Sequence, residues 1–339
     1  MSTAFAPAGT VQLSVLDLAP LSAGQSVGEA IEASARLAEL ADRTGYKRFW
    51  YAEHHNNEGV ASSATTVLIG HAAARTSRIR IGAGGVMLPN HAPLVVAEQF
   101  GTLANMYPDR IDLGLGRAPG TDPRTAAMLR RGDSSGQAFA GEIVELQQLF
   151  GAQEGTLVRA VTARNTQVPM CVLGSSTGGA AVAALLGLPF AAASHFAPQS
   201  LNEAVAVYRQ NFNPAADTAQ IAEPYVIAGV NVLVAGSQEE AEFQFSSHRL
   251  LVRDIVAHGR RPVQPPVPDV MAGWQPEEAA QVRARMAASA VGTPETVRAQ
   301  LERLAGSAGI DELMVVTYAW DPAVRERSYE LLAGAWGLG

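Results

Sequence analysis

Short apolar runs alternate along this chain with longer segments whose apolar positions recur at helical spacing. Val11–Leu18 reads as a first strand. Glu29–Arg43 follows with Ile31, Leu37 and Leu40 on one helical face and Gly45 as its stop. Strands at Arg48–Ala52, Ile79–Leu88 and Arg110–Leu115 then precede helices over Ala64–Ala74, Pro93–Leu103 and Gln137–Phe150. The second half keeps the rhythm, with strands at Met170–Leu173, Pro189–Ala193, Tyr225–Val234 and Glu312–Tyr318. Helices are expected at Gly179–Leu186, Leu201–Asn211, Glu239–Leu251, Pro294–Leu304 and Pro322–Trp336. Eight such units predict a (β/α)8 TIM barrel, a single domain over residues 1–339, because strands this apolar need both faces covered. A doubly wound parallel sheet is the rival. Insertions interrupt the pattern near 151–168 and 258–279. The second holds Pro262, Pro265, Pro266 and Pro268 and reads as a lid or a disordered segment.

Several strands end in residues that a packed core does not want, which points to one shared site at those ends. FWYAEHH at Phe49–His55 ends in Glu53, His54 and His55, and a carboxylate beside an imidazole can set its tautomer for proton transfer. The two histidines are adjacent and point in opposite directions along a strand, so no metal-ligand set is assigned; a zinc hydrolase stays a weak rival. Gly84–Gly85 inside the third strand fit either a flat ligand lying on bare backbone or a bulge at a barrel corner. GLGRAPG at Gly114–Gly120 fails as a dinucleotide fingerprint, since its third glycine comes one residue late and Pro119 blocks a helix start. It leaves Arg117 at a strand end, placed to meet an anion. LGSSTGGA at Leu173–Ala180 sets Ser175, Gly178 and Gly179 where a helix begins, a phosphate loop or an ordinary cap. One phosphate site without a second nucleotide motif suggests a mononucleotide. Ser194–His195–Phe196 ends the sixth strand, where His195 either lines the pocket or is packed.

Composition narrows the partners. Hydrophobic residues make up 47% and charged residues 17% of 339, as suits a compact enzyme with a large core. The net charge of −7 and the absence of a Lys/Arg-rich run argue against nucleic acid, and the basic pairs Arg130–Arg131 and Arg260–Arg261 are too short to change that. The single cysteine, Cys171, permits no intrachain disulfide and fits a reducing compartment. No apolar window reaches membrane-span length, and the amino-terminal residues lack a secretory pattern, so a cytoplasmic protein is expected.

In this order, EHH, GAGGVMLP, DRIDLGLGRAPG, LGSS and ASHFAP resemble the bacterial luciferase-like superfamily of flavin-dependent oxidoreductases, most strongly over Leu13–Pro198. Within it they look most like the monooxygenase branch that uses reduced FMN from a separate NAD(P)H:flavin reductase. The resemblance implies a catalytic role for His54 beside the flavin and a non-proline cis peptide at Gly84–Gly85 against its ring. It further implies Arg117 near the FMN phosphate and Ser175, Gly178 and Gly179 as the phosphate loop. It also implies O2 activation to oxygenate a small apolar substrate, and a homo-oligomer. Two positions depart from luciferase: Gly116 stands where luciferase has a cysteine, and luciferase's second phosphate arginine, in the following helix, has no clear counterpart near Ser134–Gln137. A deazaflavin-dependent hydride-transfer enzyme and a non-catalytic flavin-binding protein remain as alternatives.

Overall fold

The structure is a computed structural model that describes residues 3–5, 9–129, 132–257 and 259–339. Arg130, Arg131 and His258, the first residue of the proline-rich stretch, lie outside the described residues. Nine strands form: β1 (Gln12–Asp17), β2 (Arg48–Tyr51), β3 (Arg80–Met87), β4 (Ile111–Gly116), β5 (Met170–Gly174), β6 (Phe190–Ala192), β7 (Val226–Val234), β8 (Ser289–Gly292) and β9 (Glu312–Val316). All pair in parallel. Strands β1 to β7 are consecutive neighbours, and β9 lies between β7 and β1, so eight strands close the predicted barrel. Strand β8 is the addition. Nine-residue β7 pairs β9 along Ile227–Asn231 and β8 along Asn231–Val234, so one long strand serves two partners.

Helices fill the connections: α1 (Val27–Arg43), α2 (Thr65–Arg75), α3 (Pro93–Met106), α4 (Pro123–Met128), α5 (Gly136–Phe150), α6 (Thr177–Leu185), α7 (Leu201–Asn211), α8 (Gln238–Ala257), α9 (Pro276–Arg285), α10 (Pro294–Ala308) and α11 (Pro322–Trp336). Local chemistry starts several of them. Ser26 and Glu29 make a reciprocal capping box on α1, and Asp122, Ser135, Thr293 and Asp321 accept from backbone N–H groups opening α4, α5, α10 and α11. The short α4, α9 and β8 escaped sequence analysis. SAVG and PRTAAM are too brief and too alanine-rich to show a period. Among the described residues no helix is long and apolar enough to cross a membrane.

Strand alternation sorts side chains into two layers. Leu13, Val15, Phe49 and Tyr51 join the core between sheet and helices, whereas Leu16, Trp50 and Met314 meet inside the barrel. Below them the interior turns ionic. Arg48 is fully buried, with Nη1 2.6 Å from Asp112 Oδ2 and Nε 2.7 Å from Glu312 Oε1. Arg80 donates to the other Asp112 oxygen, Trp50 Nε1 donates to Asp112 at 3.1 Å, and Ser14 and Tyr225 hydroxyls donate to Glu312. Phe5 covers the cluster, its ring centroid 4.4 Å from the Arg48 guanidinium, and Ala4 O accepts from Nη2. Burial pushes the Asp112 carboxyl up, but the Arg80 and Arg48 guanidinium groups outweigh it and hold it below the ordinary range.

The two insertions differ. Residues 151–168 hold no helix or strand, yet Ala160 and Ala163 are fully buried, and Asn105 donates to Thr162 O. The proline-rich segment is pinned at Val263, whose N–H donates to Leu21 O and whose carbonyl accepts from Ala23 N, both at 2.8 Å. Val263 is completely buried, and the segment lies beside the carboxyl ends of the strands as a strap.

Removing one member of the ionic layer strands its partners. Asp112→Ala strips an acceptor from Arg48, Arg80 and the Trp50 indole, and is expected to cost about 3–5 kcal/mol, as for other broken buried pairs. Urea unfolding measures this; a loss below about 1 kcal/mol would show the layer to be energetically idle.

Candidate active site

A cavity of about 810 Å³ opens at the carboxyl mouth of the barrel. Its floor is Trp50, Leu16, Met314 and Ile227, and its walls are strand ends and the loops after them. Of the residues singled out from sequence, His54, Gly84, Arg117, Ser175, Gly178 and Gly179 all line it. Gly85 does not. A Cβ on Gly85 would lie 2.6 Å from Gly114 O, so this residue packs on β4 and not on the cavity.

The Gly84–Gly85 peptide is cis, and the β3–β4 register shifts between Ala83 and Val86, so the pair is also an irregularity of the strand. The reason for glycine at position 84 differs from the sequence expectation. A Cβ there would come within 2.9 Å of Leu16 Cδ1 and of Trp50 Cε3. Glycine lets the strand settle onto the protein's own floor, and bare main chain is what reaches the cavity.

At the phosphate-loop end, β5 runs into α6, whose N-cap Ser176 makes no side-chain cap bond. The first turn of α6 therefore keeps N–H groups without a side-chain acceptor, the arrangement an anionic group requires. The Arg117 guanidinium reaches this turn: a Cβ on Gly178 would be 3.4 Å from its Nη2, and one on Gly136 at the start of α5 would be 3.5 Å from Nη1. A guanidinium, two serines and a helix N-terminus within one cavity fit a phosphate monoester, and the bare main chain at Gly84 in the same lining leaves room for a ring to rest on it.

Three imidazoles complete the walls: His54, His195 and His248. Each has an Nδ1 with no hydrogen-bond partner. Burial, and then Arg260, pulls His54 down to about 4; burial pulls His195 to about 4 and His248 to about 3. All three are neutral at pH 7. His195 is set by its neighbours: Asn231 Nδ2 donates to His195 O at 2.9 Å, and Ser194 Oγ donates to Gly229 O at 2.6 Å. Gly229 must be glycine, since a Cβ would sit 2.1 Å from His195 Nδ1. His248 on α8 stacks 4.7 Å from Tyr318 and 5.3 Å from Phe245.

Glu53 corrects the sequence expectation. Its carboxylate does not orient His54. Oε1 lies 2.8 Å from both His55 Nε2 and His91 Nε2, and Oε2 accepts from Met87 N. Burial raises the Glu53 carboxyl, but the hydrogen bonds from His55 and His91 prevail and hold it at about 2. The adjacent histidines do diverge, His54 to the cavity and His55 to Glu53. The potential ligand atoms of Glu53, His55 and His91 fall within 4.8 Å of one another. Both imidazoles nevertheless meet one oxygen at hydrogen-bond length, where metal bonds of about 2.0–2.2 Å would require rearrangement. The trio is a clamp joining the ends of β2 and β3. Sequence analysis passed over His91 because its partner lies 38 positions away.

With this geometry in view, the family profile of luciferase-like monooxygenases matches residues 11–312. The chain belongs to that family. An Escherichia coli K12 relative, itself called a luciferase-like monooxygenase, is 44% identical over 95% of this chain and 96% of its own. The N-acetyl-S-alkylcysteine monooxygenase of Bacillus subtilis is 31% identical, covering 96% of this chain and 98% of its own. The crystal structure of apo-MsnO8 superposes with a TM-score of 0.90 at 38% identity, over 97% of this chain and 99% of that one.

The neutral imidazoles have a consequence for this luciferase-like chain. Unfolded, they take a proton below about pH 6.5; folded, only near 4 or 3. Between those values the unfolded state binds more protons, so stability is full above pH 6.5 and is lost as pH falls toward 4. Urea midpoints from pH 7 to pH 4 should decline on that slope, and His248→Gln should flatten it. An unchanged slope in the variant would remove His248 from the account.

Proposed function

We propose that this protein is the oxygenating component of a two-component monooxygenase. It binds reduced FMN delivered by a separate NAD(P)H:flavin reductase and uses O2 to oxygenate a small organic substrate with an apolar body. The observation that carries this reading is the convergence of Arg117, the Ser175–Gly179 loop, Gly84 and His54 on one cavity. Reduced FMN, when bound, would supply the two electrons that activate O2; one oxygen atom of O2 goes to the substrate and the other leaves as water. A deazaflavin carries hydride but does not activate O2 readily, so membership of a monooxygenase family favours FMN.

The chain's own groups take definite roles. Arg117 and the first turn of α6 hold the phosphate by charge-assisted hydrogen bonds. Gly84 presents main chain to the ring, and Trp50 and Leu16 shut the cavity from below. His54, neutral at pH 7 with a free Nδ1, can give or take a proton at that nitrogen beside the ring. The strap at Val263 narrows the mouth and limits water. One arginine at the phosphate grips modestly, which suits a flavin that arrives reduced and leaves oxidised.

Anaerobic titration with reduced FMN tests the site. Arg117→Ala should weaken binding about tenfold or more, the loss expected for one charge-assisted contact. His54→Asn should bind reduced FMN as the parent does, yet slow the oxygen-dependent step by about 10²–10⁴, the usual range for a lost proton-transfer group. Reoxidation of FMN by O2 at the same rate with and without the parent protein would overturn the oxygenase reading.

A further inference from the structure

The cavity has an unusual charge balance. The chain is acidic, with 32 Asp and Glu against 25 Lys and Arg, yet no carboxylate lines the cavity. Among the described residues its charged lining is three arginines: Arg117, Arg260 and Arg261. Arg117 is accounted for at the α6 turn. The other two lie elsewhere, on the strap. Arg260 Nη1 donates to Gly120 O at 3.3 Å, and its charge is felt by His54 and by Tyr318. That contact sets it beside the loop after β4, on the His54 side of the cavity lining. Arg261 passes close to Gly59, where an added Cβ would lie 2.5 Å from the Arg261 carbonyl oxygen. Among the described residues neither guanidinium has a carboxylate within ion-pair distance.

Two exposed arginines, carried by a pinned strap to the rim of a cavity with no acidic side chain among its described lining residues, make a second anion subsite. We propose that Arg260 and Arg261 receive an acidic group on the substrate, and that the substrate class is an apolar body ending in a carboxylate. This rests on the flavin reading of the same cavity and adds to it the substrate's charge. The apolar floor of Leu16, Trp50, Ile227 and Met314 takes the body, while the strap holds the acid and orients the opposite end toward His54. A planar guanidinium matches a carboxylate in two parallel hydrogen bonds, so a neutral analogue of equal size leaves both donors unmatched.

Octanoate and octanamide are the probes, titrated calorimetrically into the protein with and without saturating FMN. Octanoate should bind about tenfold or more tightly than octanamide, consistent with a charge-assisted pair, and the preference should shrink in 1 M salt. The double variant Arg260→Ala/Arg261→Ala should abolish the preference while retaining FMN affinity, and Arg260→Lys/Arg261→Lys should keep part of it. Equal binding of the two probes by the parent overturns the proposal. So does a double variant that loses FMN affinity but keeps the octanoate preference, because the strap would then serve the flavin. Absence of any FMN binding would instead sink the flavin reading; the probe comparison on the flavin-free protein still decides the acid subsite.

Discussion

Arg48 sits at zero exposure inside the barrel, and its charge is tolerable there only because Asp112 and Glu312 meet it at 2.6 and 2.7 Å. Isolated, such a buried guanidinium would carry a desolvation cost of several kcal/mol. Paired, it forms a layer across the amino-terminal end of the barrel, drawing Ser14, Trp50, Arg80 and Tyr225 into the same hydrogen-bond network and capped by Phe5. That closure fixes where chemistry can occur. The middle of the barrel is filled by Leu16, Trp50, Cys171, Ile227 and Met314, so open space remains only at the carboxyl mouth. Trp50 links the levels, its indole nitrogen bonded to Asp112 below and its ring forming the floor beneath Gly84.

From that floor upward the site is built of rigid main chain and partly enclosed side chains. Glu53, although beside His54 in sequence, turns away to lock His55, His91 and Met87 N, and so fixes the loops after β2 and β3. His54 makes no hydrogen bond to Glu53, and burial keeps it neutral against the pull of that carboxylate. The same division recurs at β6 and β7, where Asn231 and Gly229 set the position of His195. Anchors and reactive groups are separate residues.

Much of this was legible before any coordinates. Apolar runs ending in His54, Gly84, Arg117 and Ser175 marked both the barrel strands and the ends that line the cavity, because a strand ending in polar residues carries a local signal. What escaped was carried by distant pairs. Arg48, Asp112 and Glu312 read as ordinary strand boundaries, since nothing local tells a buried charge from a surface one. His91 joins Glu53 across the β2–β3 crossover, and His248 projects from a helix with no motif around it. Arg260 and Arg261 were weighed only as a basic pair too short to suggest nucleic acid, and the anchoring of Val263 to Leu21 and Ala23 brings them to the cavity. At Gly84 the packing adds a reason that the sequence did not carry, since its missing Cβ also makes room for Leu16 and Trp50.

The account stands on one cavity with distinct ends, a phosphate end at Arg117 and the α6 turn and a ring end over Gly84. A crystal structure with FMN soaked in tests it most directly. Phosphate density between Arg117 and the Ser175–Gly179 loop, with the isoalloxazine edge beside His54 and its face on the Gly84 main chain, is the result predicted. Phosphate density at Arg260 and Arg261, or a ring lodged away from Gly84, would contradict it.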